Sequence, residues 1–292
     1  MAELPPAPVP LDVTVVDAHT HLDACGAIGV AGVRAVLDRA GAVGVAAVVT
    51  VADDMTAARW VVQASSWDDR VFAAVALHPT RTATVTDADR AELERLAQAP
   101  RVVAVGETGL DYYWTRVDPG CPSPEAQLEA YRWHIDLAKR VGKPLMIHDR
   151  DAHDDVLAVL EQEGPPRTVV FHCFSGDAAM ARACVDAGYV LSFSGTVTFR
   201  NARALRAAAV LVPDGQLLVE TDAPFLTPHP HRGKANEPVN LPYTVRDLAA
   251  LRGQDVAELA ALSSATAERV FGFGHLAAQI GATDTAGRSV GP

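Results

Sequence analysis

Six residues of the kinds that bind divalent metal ions recur along the chain, and each follows a short apolar run rich in β-branched side chains. The C-terminal ends of the strands of a parallel barrel gather on one face, so side chains far apart in the sequence can meet in one pocket there. This pattern favours a metal-dependent hydrolase, because bound ions activate water near neutral pH. The six residues are His19, His21, Glu107, His148, His172 and Asp222.

The pair His19 and His21 is the sharpest local signal. Residues two apart in an extended strand face the same side, so both imidazoles can reach one ion. The alternative for an isolated pair is two exposed or core histidines. Their position after the strand-like run VTVVD favours ligands.

The two carboxylates have distinct expected roles. Glu107 follows the apolar run VVAVG, and burying it without a cation or donor would be costly. Its two oxygens can bridge two ions, while the alternative is a partnership with an arginine. Asp222 ends the last strand candidate and could both ligate a metal and accept a proton from the attacking water. The alternative for Asp222 is an Asx turn.

His148 and His172 end the runs PLMI and TVVF at the same relative position on successive strands. Either residue alone could be a structural histidine, but the repeated placement favours ligands. Glu220 is in phase with Asp222 and is a competing ligand. Asp17 is in phase with His19 and could orient an imidazole from behind.

Four imidazoles and two carboxylates form a mixed nitrogen and oxygen donor set. Such a set suits Zn, Mn, Co or Fe better than Mg or Ca. If Glu107 bridges, two ions ~3.5–4 Å apart could be held. We therefore expect one or two divalent ions, with Zn, Mn and Mg as the candidates.

Two further residues are expected to contact substrate. His78 ends the third strand candidate on the same face and is not needed as a ligand; a turn set by His-Pro is the alternative. Arg150 could bind a phosphate bidentately, and the alternative is an ion pair with a neighbouring aspartate.

Strand-like and helix-like segments alternate along the chain, which predicts a parallel α/β sheet with right-handed crossovers. Eight strand candidates predict a TIM-type (β/α)8 barrel, and an open doubly wound sheet is disfavoured because no GxGxxG follows the first strand. Residues 109–124 and 223–242 read as long loops. The predicted division is a lead-in over 1–12, a single barrel domain over 13–274 and a tail over 275–292.

The bulk composition is that of a soluble enzyme, with 292 residues of which 49% are hydrophobic and 21% charged. No apolar run approaches the ~20 residues of a membrane span, and the start of the chain lacks signal-peptide features. Four cysteines without CxxC spacing fit a reduced, cytoplasmic protein with no evident obligate protein partner. A net charge of −11 argues against coating nucleic acid by charge alone, although bound cations can supply positive charge locally.

Several motifs in order resemble the TatD-related metal-dependent hydrolases, a branch of the amidohydrolase-like barrels, from about residue 13 to 272. One departure is TAERVFG at 266–272, where the family often has an Asn-Ala-x-Arg-Leu-Phe-type segment. This departure bears on helix packing more than on chemistry. The motifs are DAHTHLD (17–23), LHP (77–79), VGETGLDYYW (105–114), IHDRDA (147–152), HCFSG (172–176), SFSGTVTF (192–199) and ETDAPFLTPHPHRGKANEP (220–238).

The resemblance implies a TIM-like barrel whose ligands divide between two ions. His19, His21 and Asp222 would hold one ion, His148 and His172 the other, with Glu107 as the bridge. Family members have been described as Mg-dependent deoxyribonucleases with 3′–5′ exonuclease action on single strands, and some relatives are linked to removing D-amino acids from tRNA.

The resulting hypothesis is a hydrolase that cleaves phosphodiester bonds of nucleic acid by a metal-activated water, with Asp222 and Glu107 catalytic. Single-stranded DNA is the expected substrate, and a preference for DNA over RNA stays open. One alternative is hydrolysis of another ester or amide bond, such as aminoacyl-tRNA deacylation. A second is a non-catalytic metal-binding barrel. The metal, the polarity of cleavage and the oligomeric state stay open.

Overall fold

A computed structural model describes residues 3–83 and 85–274. Within them, eight strands are hydrogen-bonded in sequence order, and every neighbouring pair is parallel. The strands are β1 Val15–Thr20, β2 Val45–Val51, β3 Val71–Ala74, β4 Val102–Asp111, β5 Leu145–Arg150, β6 Val169–Phe171, β7 Val190–Phe193 and β8 Leu217–Val219. The predicted TIM-type barrel is confirmed.

Helices follow the strands and cover the outside of the barrel. They are α1 Gly29–Gly41, α2 Met55–Ala64, α3 Asp87–Ala97, α4 Tyr112–Val117, α5 Pro124–Val141, α6 His153–Glu163, α7 Ala178–Asp186, α8 Arg203–Leu211, α9 Leu241–Arg252 and α10 Val256–Phe271. Their ends carry ordinary capping chemistry. Thr86 and Asp89, for example, form a capping box at the start of α3.

Alternation along the strands divides the core into two layers. In β1, Val16 and Ala18 belong to the cluster inside the barrel with Phe72 and Met146, whereas Val15 packs in the layer between the barrel and the helices. The strands are therefore buried on both faces. This explains why they appear in the sequence as continuous apolar runs.

The seam between β1 and β8 closes the barrel beside the mouth. The amide of Asp222 donates to the carbonyl of His19 at 2.9 Å, and that of His21 donates to Ala223 at 2.7 Å. The carboxylate of Asp17 accepts from the Thr221 amide at 2.9 Å and from its hydroxyl at 2.6 Å. The expectation that Asp17 orients an imidazole is wrong, because its oxygens are engaged across the seam.

The predicted loop over 109–124 is wrong for its first half. Strand β4 continues to Asp111 because residues 108–111 pair with β5, and α4 begins at Tyr112. Asp111 caps α4 by accepting from the Trp114 amide at 2.8 Å. The predicted loop over 223–242 is wrong only at its end: residues 223–237 contain no helix or strand, but Pro238–Asn240 form a short 3-10 helix and α9 begins at Leu241.

The lead-in lies against the barrel where it is described. Tyr243 donates from its hydroxyl to the carbonyl of Pro6, and Arg246 donates to those of Val9 and Pro10. The division at residue 12 stays a prediction, and the predicted tail over 275–292 lies outside the described residues. In the part of the chain that the structure describes, no helix is long and apolar enough to cross a membrane.

Gly109 lies in β4 directly opposite His148 of β5. A Cβ atom at this position would lie 2.0 Å from the carbonyl oxygen of His148, and the backbone has φ of +139°. We expect Gly109→Ala to lower the free energy of unfolding by about 2–4 kcal/mol, measured by urea denaturation. Gly215→Ala is the control, since nothing lies within 4 Å of its added Cβ. If both substitutions changed the free energy of unfolding equally, the close contact between Gly109 and the carbonyl of His148 would be contradicted.

His134 offers a pH test of the fold away from the metal centre. Its Nε2 accepts from the Leu77 amide at 3.2 Å, and Nδ1 lies 2.7 Å from the carbonyl of Ala130. Burial lowers the pKa of His134 to about 4. The unfolded chain therefore binds an extra proton between about pH 6.5 and 4, so this contribution to stability is complete above pH 6.5 and is lost as pH falls.

His134→Gln keeps a donor and an acceptor but does not titrate. Over the same pH range we expect wild type to lose roughly 3 kcal/mol more unfolding free energy than this variant. Denaturant titrations at a series of pH values measure the difference. Parallel stability curves would show that His134 does not stay neutral in the fold.

Candidate metal centre

The structure brings the six predicted side chains together at the mouth of the barrel. In one half, Nε2 of His19 lies 3.2 Å from Nε2 of His21. Oε1 of Glu107 lies 3.7 and 3.4 Å from these two nitrogens, and Oδ1 of Asp222 lies 3.7 and 3.5 Å from them. We call these four groups the β1 half of the centre.

The other half uses the second oxygen of the same glutamate. Nδ1 of His148 lies 3.2 Å from Nε2 of His172, and Oε2 of Glu107 lies 3.3 and 2.8 Å from these nitrogens. We call this the β5 half. Glu107 is therefore placed between the halves, with one carboxylate oxygen directed to each.

The hydrogen bond that a histidine forms on the side away from the centre determines which of its nitrogens can bind a metal ion. Nδ1 of His21 lies 3.0 Å from the carbonyl oxygen of Val51. Since a carbonyl can only accept, Nδ1 carries a proton, which leaves Nε2 as the nitrogen that would bind a metal ion once its own proton is released. Buried lone pairs of nitrogen and carboxylate oxygens converge in this way on two small volumes. The donor set thus fits divalent cations, which would offset the repulsion between acceptors.

Two buried carboxylates stand behind the β5 half. Oδ2 of Asp111 lies 3.1 Å from Nε2 of His148, and Oε1 of Glu220 lies 3.4 Å from Nδ1 of His172. Glu220 also accepts from the Cys173 amide at 2.7 Å. It therefore lies behind a histidine rather than among the converging atoms, where sequence had placed it as a competing ligand.

Asp111 was missed by the sequence reasoning, although a signal existed. It lies four residues beyond Glu107 in β4, and an even spacing along a strand places two side chains on the same face. The sequence reasoning assigned this stretch to a loop, for which strand alternation has no meaning.

The charged side chains of the cluster shift each other's pKa values strongly. Burial acts to raise the pKa of Glu107, but the charges and hydrogen bonds of the surrounding histidines hold that pKa well below its usual range. Burial acts to lower the pKa of His21, but hydrogen bonding to Asp222 and the carboxylate charges raise it to about 9. Protons therefore occupy the cluster when cations do not, and metal binding releases them.

His78 lies beside the β5 half. Its Nδ1 accepts from the Thr80 amide at 3.2 Å, and its Nε2 lies 4.0 Å from Oε2 of Glu107. Burial and the neighbouring charge of His148 lower the pKa of His78 to about 3, so the ring is neutral. Its proton is then on Nε2, which faces the centre as a donor. The turn expected as the alternative is also present, since His78 caps the short helix Pro79–Arg81.

Arg150 ends β5 at the exposed edge of the mouth. Its guanidinium lies over the ring of Tyr113, 3.9 Å from the ring centroid. Among the described residues it forms no ion pair; Asp149 pairs with His153, and Asp151 pairs with Arg116. The alternative of an ion pair with a neighbouring aspartate is therefore wrong. A contact with substrate stays a prediction.

A family model described as TatD related DNase matches residues 16–272. The chain belongs to this family. The predicted recognition is therefore confirmed, and with it the class of metal-dependent hydrolases, because the similar proteins of the TatD family carry that description.

Three similar TatD proteins illustrate the family. A Mycobacterium tuberculosis protein named uncharacterized metal-dependent hydrolase TatD is 64% identical over 89% of this chain and 98% of its own length. A protein of Erwinia amylovora named 3′-5′ ssDNA/RNA exonuclease TatD is 36% identical over 68% of this chain and 76% of its own. The crystal structure of the Escherichia coli TatD homolog YJJV superposes with a TM-score of 0.82 at 29% identity, covering 90% of this chain and 99% of that one.

The carboxylates behind the β5 half give a test by metal affinity. We expect Asp111→Asn and Glu220→Gln each to weaken binding of one ion by about 10- to 100-fold. A carboxylate that accepts a hydrogen bond from an imidazole makes that imidazole a stronger ligand of the metal ion. Titration calorimetry with Zn or Mn on the metal-free protein measures both ions. Asn can still cap α4, so folding is not at stake. Glu129→Gln, an exposed change on α5, is the control; affinities equal to this control would exclude the effect.

Proposed function

We propose that this TatD-family hydrolase cleaves phosphodiester bonds at an end of single-stranded nucleic acid, preferably DNA. The observation that carries the proposal is the placement of Glu107, whose two oxygens each face one pair of histidines. Two adjacent half-sites of this kind suit the in-line displacement of a phosphodiester, in which both the entering and the leaving oxygen carry charge.

The proposed ligands follow the two halves. His19, His21 and Asp222 would hold one ion, and His148 and His172 the other. Glu107 would contact both. Zn, Mn and Mg are the candidate ions. When bound, such ions lower the pKa of water and neutralise charge on phosphate oxygens.

Asp222 is the proposed proton acceptor. It is buried at the end of β8, with Oδ1 3.5 Å from Nε2 of His21. Burial acts to raise its pKa, but hydrogen bonding to His21 and the charges of three histidines lower it, so Asp222 is an ionised carboxylate at neutral pH. Its backbone has φ of +51°, and its amide is fixed to the carbonyl of His19. This fixed position of an ionised carboxylate supports its proposed role as acceptor of the proton of the attacking water.

His78 and Arg150 are the proposed contacts to substrate. The Nε2–H of neutral His78 would donate to a non-bridging oxygen of the scissile phosphate. Arg150, at the outer edge of the mouth, would bind a neighbouring phosphate bidentately. These donors and the bound ions would supply local positive charge on a chain whose net charge is −11.

The choice of nucleic acid as substrate is supported by the names of relatives from two Erwinia species, each called a 3′-5′ ssDNA/RNA exonuclease. A cytoplasmic location accords with this substrate and stays a prediction. More distant solved structures share the fold at 14–15% identity and do not bear on the substrate.

The test is time-resolved cleavage of 5′-labelled single-stranded DNA and RNA with Mg, Mn or Zn. A 3′–5′ exonuclease gives a ladder of labelled products that shortens with time. We expect Asp222→Asn to lower turnover by about 10²–10⁴-fold with a smaller effect on oligonucleotide binding, because the proton acceptor is lost. Glu107→Gln should abolish cleavage and reduce the metal content per chain.

Glu129→Gln is the matched surface control and should cleave like wild type. Wild-type turnover by Asp222→Asn would remove this residue from the proposed role. Failure of the metal-loaded wild type to cleave DNA or RNA would contradict the nuclease assignment and direct attention to ester and amide substrates.

A further inference from the structure

Only two of the Phe, Trp and Tyr side chains are exposed among residues 3–83 and 85–274. They are Phe225, which is 57% exposed, and Trp114, which is 42% exposed. Single exposed apolar residues are ordinary on protein surfaces. These two, however, lie in segments that leave β8 and β4 at the mouth, on opposite sides of an eight-stranded barrel. Both side chains are therefore near the metal centre and not elsewhere on the surface.

Phe225 lies at the rim of the β1 half. Its ring centroid is 6.0 Å from that of His21, and the two planes meet at 72°. It follows Asp222 by three residues. A phosphate held between the two halves would therefore have the ring of Phe225 beside it, on the side of His21 and Asp222.

The backbone beneath this ring is fixed by buried hydrogen bonds. The amide of Phe225 donates to the carbonyl of Asp222 at 2.9 Å, and its carbonyl accepts from Nδ2 of Asn236 at 2.6 Å. Asn236 is buried and donates to the carbonyl of Thr221 at 3.0 Å as well. The next residue is also tightly packed, since a Cβ on Gly195 would lie 2.0 Å from the carbonyl oxygen of Leu226.

The aromatic side chain of Phe225 is exposed on a fixed backbone and does not pack in the core. Such a ring is ready to stack without losing much conformational freedom on binding. We propose that Phe225 is a stacking platform for the nucleobase next to the scissile phosphate. This inference rests on the proposed function and adds a specificity-determining residue to it.

The chemistry of the ring defines what it would recognise. Phenylalanine has no polar atom to read a base edge, so it stacks on any base and grips substrate independently of sequence. A base inside a duplex is already stacked and paired, and it must be unstacked before it can reach the ring. Phe225 thus favours single strands and frayed ends over intact duplex.

The test compares Phe225→Ala and Phe225→Tyr with Leu211→Ala. Leu211 is 39% exposed at the end of α8, which leads into the start of β8 and so lies away from the mouth. For a single-stranded DNA oligonucleotide we expect Phe225→Ala to raise KM by about 5- to 100-fold, from the loss of one base–aromatic stack. Phe225→Tyr should keep most of the affinity, and Leu211→Ala should match wild type.

Abasic substrates separate stacking from a structural role. Oligonucleotides that lack the base of the terminal or the penultimate nucleotide are cleaved by wild type and by Phe225→Ala. At one of these two positions, removal of the base should raise the KM of wild type to that of the variant and leave the variant unchanged. A variant whose defect is the same on intact and both abasic substrates would overturn the platform, as would a variant with wild-type KM.

The outcomes distinguish this inference from the function on which it rests. If wild type cleaves oligonucleotides and Phe225→Ala does so equally well, the platform is excluded and the nuclease stands. If metal-loaded wild type cleaves no nucleic acid, both are excluded. Metal content measured on each variant verifies that the ions are retained, and a smaller preference for single strands over blunt duplex in Phe225→Ala would be a second, independent result in favour.

Discussion

The buried carboxylate of Glu107 is the group around which the mouth of the barrel is organised. It lies between two pairs of histidines, is 3% exposed and has no arginine or lysine as a partner among the described residues. A charge buried in this way is costly unless cations or hydrogen-bond donors compensate it. Histidine nitrogens supply that compensation by proton binding in the free protein. Divalent ions would supply it more strongly, because the same lone pairs then become ligands.

The two halves of the centre obtain their negative charge in different ways. In the β1 half, Asp222 reaches the converging atoms directly, and His19 and His21 are backed by the uncharged groups Met146 Sδ and the Val51 carbonyl. In the β5 half the carboxylates, those of Asp111 and Glu220, stand behind the histidines. The two ions would therefore differ in affinity. In the β1 half, the carboxylate that faces the centre is the one that we propose as the proton acceptor.

The strands of the barrel hold the charged side chains of the centre in fixed positions. Asp17 and Thr221 join β1 to β8 directly below Asp222, while close packing at Gly109 sets the spacing of β4 and β5. Against this fixed frame, Phe225 is exposed at the rim and free to contact what enters. A rigid wall and an accessible mouth both suit the hydrolysis of a flexible polymer that we propose.

The sequence by itself determined the strand count, the parallel barrel and the six converging residues. Its short β-branched runs are typical of strands buried on both faces, and parallel strands end on one side of the sheet. Tertiary structure alone decided which carboxylate lies where. Asp17, Asp111 and Glu220 carry the same chemistry and strand phase as true candidates for the centre, but one closes the seam and two stand behind histidines. Their roles depend on distances between strands that are remote in sequence, and alternation along a single strand contains no such distances.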